Sequence, residues 1–148
     1  MPKKTKFDDL PGYKMRRVSL LSMAALSKAL ADIELRVTEA IVLLQIQDEP
    51  GLTLSEIGRR LDIKRANVTP LVGGLVERNL VRSEVKDGRS QALFLSEVGE
   101  DVASRAYSTI LHHEETFFQA LSGDKLTELT ESLGVLWTEH SKTRDTNN

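Results

Sequence analysis

The chain has 148 residues, the length of one ordinary domain or of one domain with a helical extension. It contains no cysteine, which excludes thiol nucleophiles, zinc–thiolate sites and thiol-based redox sensing. Its basic N-terminus is not followed by a signal-peptide core, and no apolar run approaches the roughly 18 residues that span a bilayer, so we expect a soluble, cytoplasmic protein.

The formal net charge of −2 is distributed unevenly along the chain. Residues 1–20 carry six basic and two acidic side chains, and residues 55–92 carry eight and five. Residues 93–148 carry four basic and ten acidic side chains. Because phosphate is attracted by local charge rather than by the total, the two basic segments are compatible with nucleic-acid binding.

Two helices are predicted at the start of the chain, after a flexible basic arm. Pro11 suits a first helical turn, and residues 13–31 are rich in Leu, Met and Ala without a helix breaker. Residues 38–47 are apolar on nearly every side, which is typical of a buried core helix. The Glu-Pro-Gly segment at residues 49–51 ends that helix.

Two short helices joined by a tight turn follow. Thr53 and Glu56 form a capping box, in which the Thr hydroxyl binds a backbone amide and the Glu side chain reaches back. A turn at residues 62–63 separates this helix from one at residues 64–78. Asn79 stands where the second helix must end, at a position that favours the left-handed conformation.

A β-hairpin comes next, because residues 80–85 and 91–95 have strand patterns around the Asp87-Gly88 turn. Two short helices followed by a hairpin make a winged helix-turn-helix, an architecture that places one helix in a DNA major groove. The sequence therefore predicts a mainly α fold with a small β-hairpin wing.

Two long helices complete the predicted fold. Ser96 caps the first of them, and Val98, Val102, Ala106 and Ile110 are expected on its buried face. The second begins at residues 122–124 and repeats apolar side chains at spacings of three and four, which is typical of a helix–helix seam. We expect this seam to form a dimer interface that contains Leu126, Leu129, Leu133, Leu136 and Trp137.

Four sequence blocks in order, at residues 51–57, 65–72, 75–81 and 87–99, resemble the MarR family, the bacterial regulators of multiple-antibiotic-resistance type. The resemblance extends from about residue 13 to about residue 136. It implies a winged helix-turn-helix with N- and C-terminal dimerisation helices. The expected division is a flexible basic arm at 1–9, a helical dimerisation region at 10–35 and 97–143, a DNA-binding domain at 36–96 and a flexible tail at 144–148.

The resemblance also implies a function. Such a homodimer binds a pseudo-palindromic operator in double-stranded DNA, often as a repressor, and is released by a small aromatic or lipophilic ligand that binds between the dimer and DNA-binding parts. The chain departs from the family pattern in three ways. Gly73 and Gly74 replace common polar or basic residues, Asn79 replaces a glycine, and the wing carries one Arg where many members have two or three.

The predicted DNA contacts come from three places. Arg pairs bidentately with guanine and Asn with adenine, so the start of the second short helix is expected to read base edges. The predicted recognition-helix contacts are Lys64, Arg65, Ala66, Asn67, Thr69 and Pro70. The wing is expected to contribute Lys86, Asp87 and Arg89, with Arg89 in the minor groove and braced by an ion pair to Asp87. Thr53, Ser55 and Arg82 are expected to contact phosphate. A solvated helix face and an ordinary charged hairpin remain the alternatives.

The crevice lined by the first, second and fifth helices is where we expect an effector, with Tyr13, Arg16, Met23 and His113 as candidate contacts. His112 and Glu115 lie one turn apart, but two ligands on one helix do not make a metal site. No metal or cofactor is expected. The sequence also lacks a phosphate loop and a nucleophile elbow, which argues against an enzyme. A protein-interaction adaptor without specific DNA binding remains the alternative, supported by Gly73, Gly74 and the short wing.

Overall fold

The structure is a computed structural model that describes residues 3–145. Within these residues it contains six helices and one antiparallel hairpin, as the predicted fold class requires. In chain order the elements are α1 (Pro11–Ala31), α2 (Val37–Asp48), α3 (Leu54–Leu61), α4 (Arg65–Glu77), β1 (Val81–Asp87), β2 (Ser90–Leu95), α5 (Glu97–Phe118) and α6 (Gly123–Asp145).

The structure describes only part of the predicted N-terminal arm (residues 1–9) and of the predicted C-terminal tail (residues 144–148). A backbone hydrogen bond joins the Asp8 amide to the Thr5 carbonyl oxygen within the predicted arm (3.2 Å). Helix α6 continues through Asp145, so it includes the start of the predicted tail. Residues 1–2 of the arm and 146–148 of the tail lie outside the described residues.

Local signals set the ends of α3 and α4. The Glu56 amide donates to the Thr53 hydroxyl (3.3 Å), and the Glu56 carboxylate accepts from the Thr53 amide (2.7 Å), so the predicted capping box is present. Asp62 ends α3 with φ 54°, and Asn79 follows α4 with φ 57°. Both residues are in the left-handed region, which Asn and Asp tolerate better than most residues. These reversals set the directions in which α4 begins and β1 leaves.

Helix α2 lies at the centre of the core of the first compact unit, residues 1–113. Its side chains Ala40, Val42, Leu43 and Ile46 are fully buried. The other fully buried large side chains come from every neighbouring element, and they include Leu30, Ile57, Val68, Leu75 and Leu93. Burying one such aliphatic side chain stabilises the fold by about 1.5–3 kcal/mol.

The hairpin is joined to the loop before α3. The Gly51 amide donates to the Leu93 carbonyl oxygen (2.8 Å), and the Leu93 amide donates to the Leu52 carbonyl oxygen (2.9 Å). This bridge extends the pairing of β2 by one short segment and ties the wing to the helix-turn-helix. It was not predicted, because it joins backbone groups about 40 residues apart.

The start of α5 lies against the end of α4. Ser96 caps α5 as predicted, because its Oγ accepts from the Gly99 amide (2.9 Å), and its amide donates to the Leu80 carbonyl oxygen (3.0 Å). The buried face contains Gly99, Ala103 and Ala106, whereas Val98 is 53% exposed. The expected inward position of Val98 is therefore wrong. The buried position next to Val98 is Gly99, where the Leu80 carbonyl oxygen approaches so closely that no side chain would fit.

The second compact unit begins at residue 114 and contains the end of α5 and all of α6. Leu126 and Leu129 are half-buried, whereas Leu133, Leu136 and Trp137 are exposed. The predicted seam residues therefore lie along one helix, with most of them exposed, and their role as a dimer interface stays a prediction. Among the described residues, none of the helices is both long and apolar enough to cross a membrane.

Replacing Gly99 by Ala is expected to destabilise the protein by about 1–3 kcal/mol, because it overpacks a tight junction. A Cβ at this position would lie 1.9 Å from the Leu80 carbonyl oxygen, a backbone atom that cannot move away alone. The matched control is Gly73→Ala, where an added Cβ meets no described atom within 4 Å. This control should stabilise the fold by up to about 1 kcal/mol. Denaturant unfolding of both variants measures the difference, and equal effects would contradict the packing argument.

Candidate nucleic-acid interface

The first half of α4 has one buried anchor and a continuous exposed polar face. Val68 is fully buried, and Val72 and Leu75 continue the same inward face. The six predicted recognition residues are all exposed, namely Lys64, Arg65, Ala66, Asn67, Thr69 and Pro70. Lys64 is the N-cap and the other five lie within the helix. The fold therefore brings the predicted set together on the solvent side of one helix.

The charge at the start of α4 suits a polyanion. Lys64 and Arg65 occupy the first turn, next to backbone amides whose dipoles already favour negative charge. Pro70 lies inside the helix and has no amide proton to donate to the Ala66 carbonyl. The Thr69 hydroxyl donates to the Arg65 carbonyl oxygen (3.0 Å) one position earlier. This bond goes to a different carbonyl and does not replace the one that the proline cannot make.

Gly73 and Gly74 follow on the same helix and keep ordinary helical geometry. Neither has a positive φ, and a Cβ at either position would meet no described atom within 4 Å. The glycines are therefore not required by packing. They leave the second half of α4 without a long side chain at two successive positions.

The wing holds its predicted residues at an irregular strand end. Register runs from Val81↔Leu95 to Asp87↔Ser90, with a shift between Val85 and Asp87. Lys86, Asp87 and Arg89 are all exposed. Asp87 forms no ion pair with Arg89 in the part of the chain that the structure describes, so the expected brace is wrong. The shift at Asp87 changes side-chain direction at this point, as bulges do.

Arg82 lies lower on the wing and is held by two neighbours. Its guanidinium is 4.8 Å from the ring centroid of Phe94, its partner on β2, and it forms an ion pair with Glu84. A cation over an aromatic face contributes about 0.5–1 kcal/mol at exposed sites. The side chain is exposed yet supported, an arrangement that the strand pattern alone did not reveal.

The start of α3 combines the cap with nearby cations. Thr53 is half-buried in its capping bonds, and Ser55 is exposed. Hydrogen bonds from the Thr53 amide and hydroxyl hold the pKa of Glu56 below its usual range, and the charges of Lys86 and Arg59 add to this effect.

The far end of α4 is held by ion pairs that the sequence did not predict. Glu39, near the start of α2, has a buried side chain and accepts from the Arg36 amide (2.8 Å) and guanidinium (2.9 Å). Arg78, at the end of α4, lies 3.5 Å from the same carboxylate. Burial raises the pKa of Glu39, but hydrogen bonds and charges from the two arginines outweigh it and hold the pKa below its usual range.

The four candidate effector residues have different surroundings. Tyr13 is half-buried, with its ring centroid 6.2 Å from that of Phe7, whereas Arg16 and Met23 are exposed. His113 is 7% exposed, and its Nε2 lies 3.0 Å from the Ser22 Oγ on α1. His113 is thus a buried link between α1 and α5, while the three α1 residues face mostly solvent.

A cavity of about 370 Å³ lies elsewhere, between the start of α2 and α4. Its lining residues are Arg36, Thr38, Ile63, Asn67, Pro70 and Leu71. It includes two predicted recognition residues and none of the candidate effector contacts. Within residues 3–145 no three His, Asp or Glu side chains cluster in a way that could hold a metal ion.

Comparison with protein families matches residues 31–90 to the MarR family. This segment includes α2, α3, α4 and β1, which are the elements that build the interface. No curated protein sequence matches the chain significantly.

Solved structures resemble nearly the whole chain. A transcriptional repressor named CouR, bound to a 23-mer DNA duplex, has a TM-score of 0.82 at 26% identity, covering 90% of this chain and 99% of its own. A MarR family regulator from Rhodococcus sp. RHA1 has a TM-score of 0.81 at 21% identity, covering 90% and 96%. A MarR family protein from Mycobacterium tuberculosis, in complex with salicylic acid, has a TM-score of 0.72 at 24% identity, covering 87% and 98%.

Proposed function

We propose that the chain is a member of the MarR family and a sequence-specific DNA-binding transcriptional regulator that acts as a repressor. As a homodimer it binds a pseudo-palindromic operator, and a small aromatic or lipophilic ligand releases it. The proposal places the protein in the cytoplasm with its DNA and assigns it no catalytic activity.

The observation that carries the proposal is the exposed polar half of α4. Arg65 and Asn67 lie on a helix whose opposite side is anchored in the core by Val68. A major groove about 12 Å wide admits one α-helix, and forked Arg and Asn side chains match the edges of guanine and adenine. We therefore assign base reading to Arg65 and Asn67, with Lys64, Ala66, Thr69 and Pro70 as neighbouring contacts.

The other assigned contacts grip the DNA backbone and the minor groove. Arg89 and Lys86 are exposed on the wing, the hairpin that follows the recognition helix in sequence. A narrow minor groove concentrates negative potential and attracts such a cation. Arg82, supported by Phe94, and Ser55 and Thr53 at the start of α3 are placed to contact phosphate.

The homodimer is supported by apolar surface on the terminal helices. Exposed large apolar side chains on α1 include Met15, Val18, Leu20 and Leu21, and α6 exposes Leu133, Leu136 and Trp137. Contiguous exposed apolar surface of this kind marks interaction sites in soluble proteins. A second copy of the chain would cover it and supply a second reading helix.

Two of the similar structures bear on the partners. The CouR structure contains a DNA duplex, and the M. tuberculosis structure contains salicylic acid. They support DNA binding and a response to a small aromatic acid as properties of this chain. The proposed effector contacts are Tyr13, Arg16, Met23 and His113. Of these, His113 forms a hydrogen bond with Ser22 that links α5 to α1.

Alanine variants are expected to separate base reading from backbone contact. Arg65→Ala or Asn67→Ala should weaken binding to the cognate operator by about 1–3 kcal/mol and weaken binding to scrambled DNA less. Arg89→Ala should weaken binding to both DNAs and flatten the salt dependence by about one unit if it neutralises one phosphate charge. Competition binding across a salt series measures these effects, after gel shifts on genomic fragments have located the operator.

The matched control is Arg60→Ala. It removes an exposed arginine of α3 that pairs with Glu49 at the end of α2, and it should leave both affinities unchanged. Equal losses on both DNAs for all three test variants would mean that α4 only contacts the backbone. Failure of the wild-type protein to distinguish any genomic fragment from scrambled DNA would favour the protein-interaction adaptor instead.

Sedimentation at micromolar concentration is expected to show a dimer. Leu129→Asp places a charge in the half-buried seam of α6 and should shift the protein to monomer or unfold it. Thr127→Asp adds the same charge to the opposite side of the helix, where Thr127 is exposed, and should leave the dimer intact. A monomeric wild-type protein would refute the proposed assembly.

A further inference from the structure

We propose that Arg78 is a positioning residue that fixes the recognition helix to the α1–α2 connection and so sets the separation of the two reading helices in the dimer. This inference rests on the proposed function. It concerns neither base reading nor phosphate contact, because Arg78 lies at the opposite end of α4 from the reading residues.

Arg78 joins two separate points across a gap in sequence. Its Nη2 donates to the backbone carbonyl oxygen of Glu34 (2.7 Å), and its Nη1 lies 3.5 Å from Glu39 Oε2. One guanidinium therefore connects the end of α4 to the α1–α2 connection and to the start of α2. A planar fork with several donors can serve two acceptors at once, whereas a lysine ammonium acts as a single point charge.

Both points that Arg78 grips are rigid. Glu34 is in the left-handed region with φ 57°, inside a turn where the amides of Ile33 and Leu35 both donate to the Leu30 carbonyl oxygen (3.1 Å each). Leu30 and Leu35 are buried on either side of that turn. The carbonyl that accepts from Arg78 thus belongs to a fixed segment directly after α1.

The second point is the carboxylate of Glu39. Its side chain is 8% exposed and is already oriented by the Arg36 amide and guanidinium. Arg78 therefore contacts a carboxylate that Arg36 already holds through both oxygens. Removing Arg78 would leave Glu39 paired with Arg36, so the change acts on the attachment of α4 and does not create an uncompensated buried charge.

Small rotations of α4 matter at the scale of DNA. A helix of 13 residues is about 20 Å long, so a rotation of about 5° about one end moves the other by about 2 Å. The rise per base pair is about 3.4 Å. A recognition helix released at Arg78 would therefore tolerate changed half-site separations that the fixed helix rejects.

The test measures binding to operators whose half-sites are moved apart or together by one and two base pairs. The wild-type protein should lose about tenfold or more per step, because both modules must land on one face of the duplex. Arg78→Ala and Arg78→Lys should bind the native spacing more weakly and show a distinctly flatter spacing profile. Arg60→Ala is the matched control, since Arg60 has nearly the same exposure as Arg78 (39% against 38%) but pairs with Glu49 instead.

Glu39→Gln removes one of the two attachments of Arg78 if Arg78→Ala does not fold, because it removes the charge, keeps the side-chain shape and leaves the hydrogen bond to Glu34. It should flatten the spacing profile in the same direction as the Arg78 variants and by a smaller amount. A uniform loss at every spacing, or a wild-type profile in the folded variants, would show that the ion pairs only support stability and would overturn the proposal. If the wild-type protein binds DNA with no spacing preference, the positioning role fails while DNA binding stands. If it binds no DNA, the proposed function itself fails.

Discussion

The burial of Val68, Val72 and Leu75 in the core around α2 is the interaction on which the interface depends. It anchors one side of a short helix that carries a proline and two glycines, none of which favours helix formation. With that side held, the polar side chains of the first half of α4 have only solvent to face. The same packing that stabilises the domain therefore exposes the surface that we propose reads DNA.

The remaining structure limits how this helix can move. Left-handed residues at Asp62 and Asn79 set the chain direction before and after α4, and the Leu80 carbonyl accepts from the Ser96 amide at the start of α5. The bridge between Leu52 and Leu93 ties the wing to the loop before α3. The wing and the recognition helix, which we propose to contact DNA, are thus attached to one core by specific hydrogen bonds.

Features with local causes could be predicted from the sequence. The capping box at Thr53, the stop at Asn79 and the cap at Ser96 each depend on a few consecutive residues, and the structure contains all three. The exposure of the first half of α4 followed from helical periodicity. The site assignments built on that exposure remain proposals, because exposure alone does not identify a ligand.

Features with distant causes were missed or wrong. The inward position predicted for Val98 was wrong, and the buried position next to it is Gly99, which the Leu80 carbonyl in the connection between α4 and β1 approaches closely. The contact of Arg78 with Glu34 joins residues that are 44 positions apart, so no short sequence motif predicts it. The apolar row on α6 could be recognised from the sequence, but the surface proposed to cover it is that of a second copy of the chain.

The most direct test of the account is methylation interference on a footprinted operator. Methylation of guanine N7 blocks the major groove, and methylation of adenine N3 blocks the minor groove. The account predicts guanine interference in two symmetric half-sites about 10 bp apart, where the two α4 helices enter, and adenine interference beside them, where Arg89 enters. Binding that is unaffected by guanine methylation would contradict the central claim that α4 reads bases in the major groove.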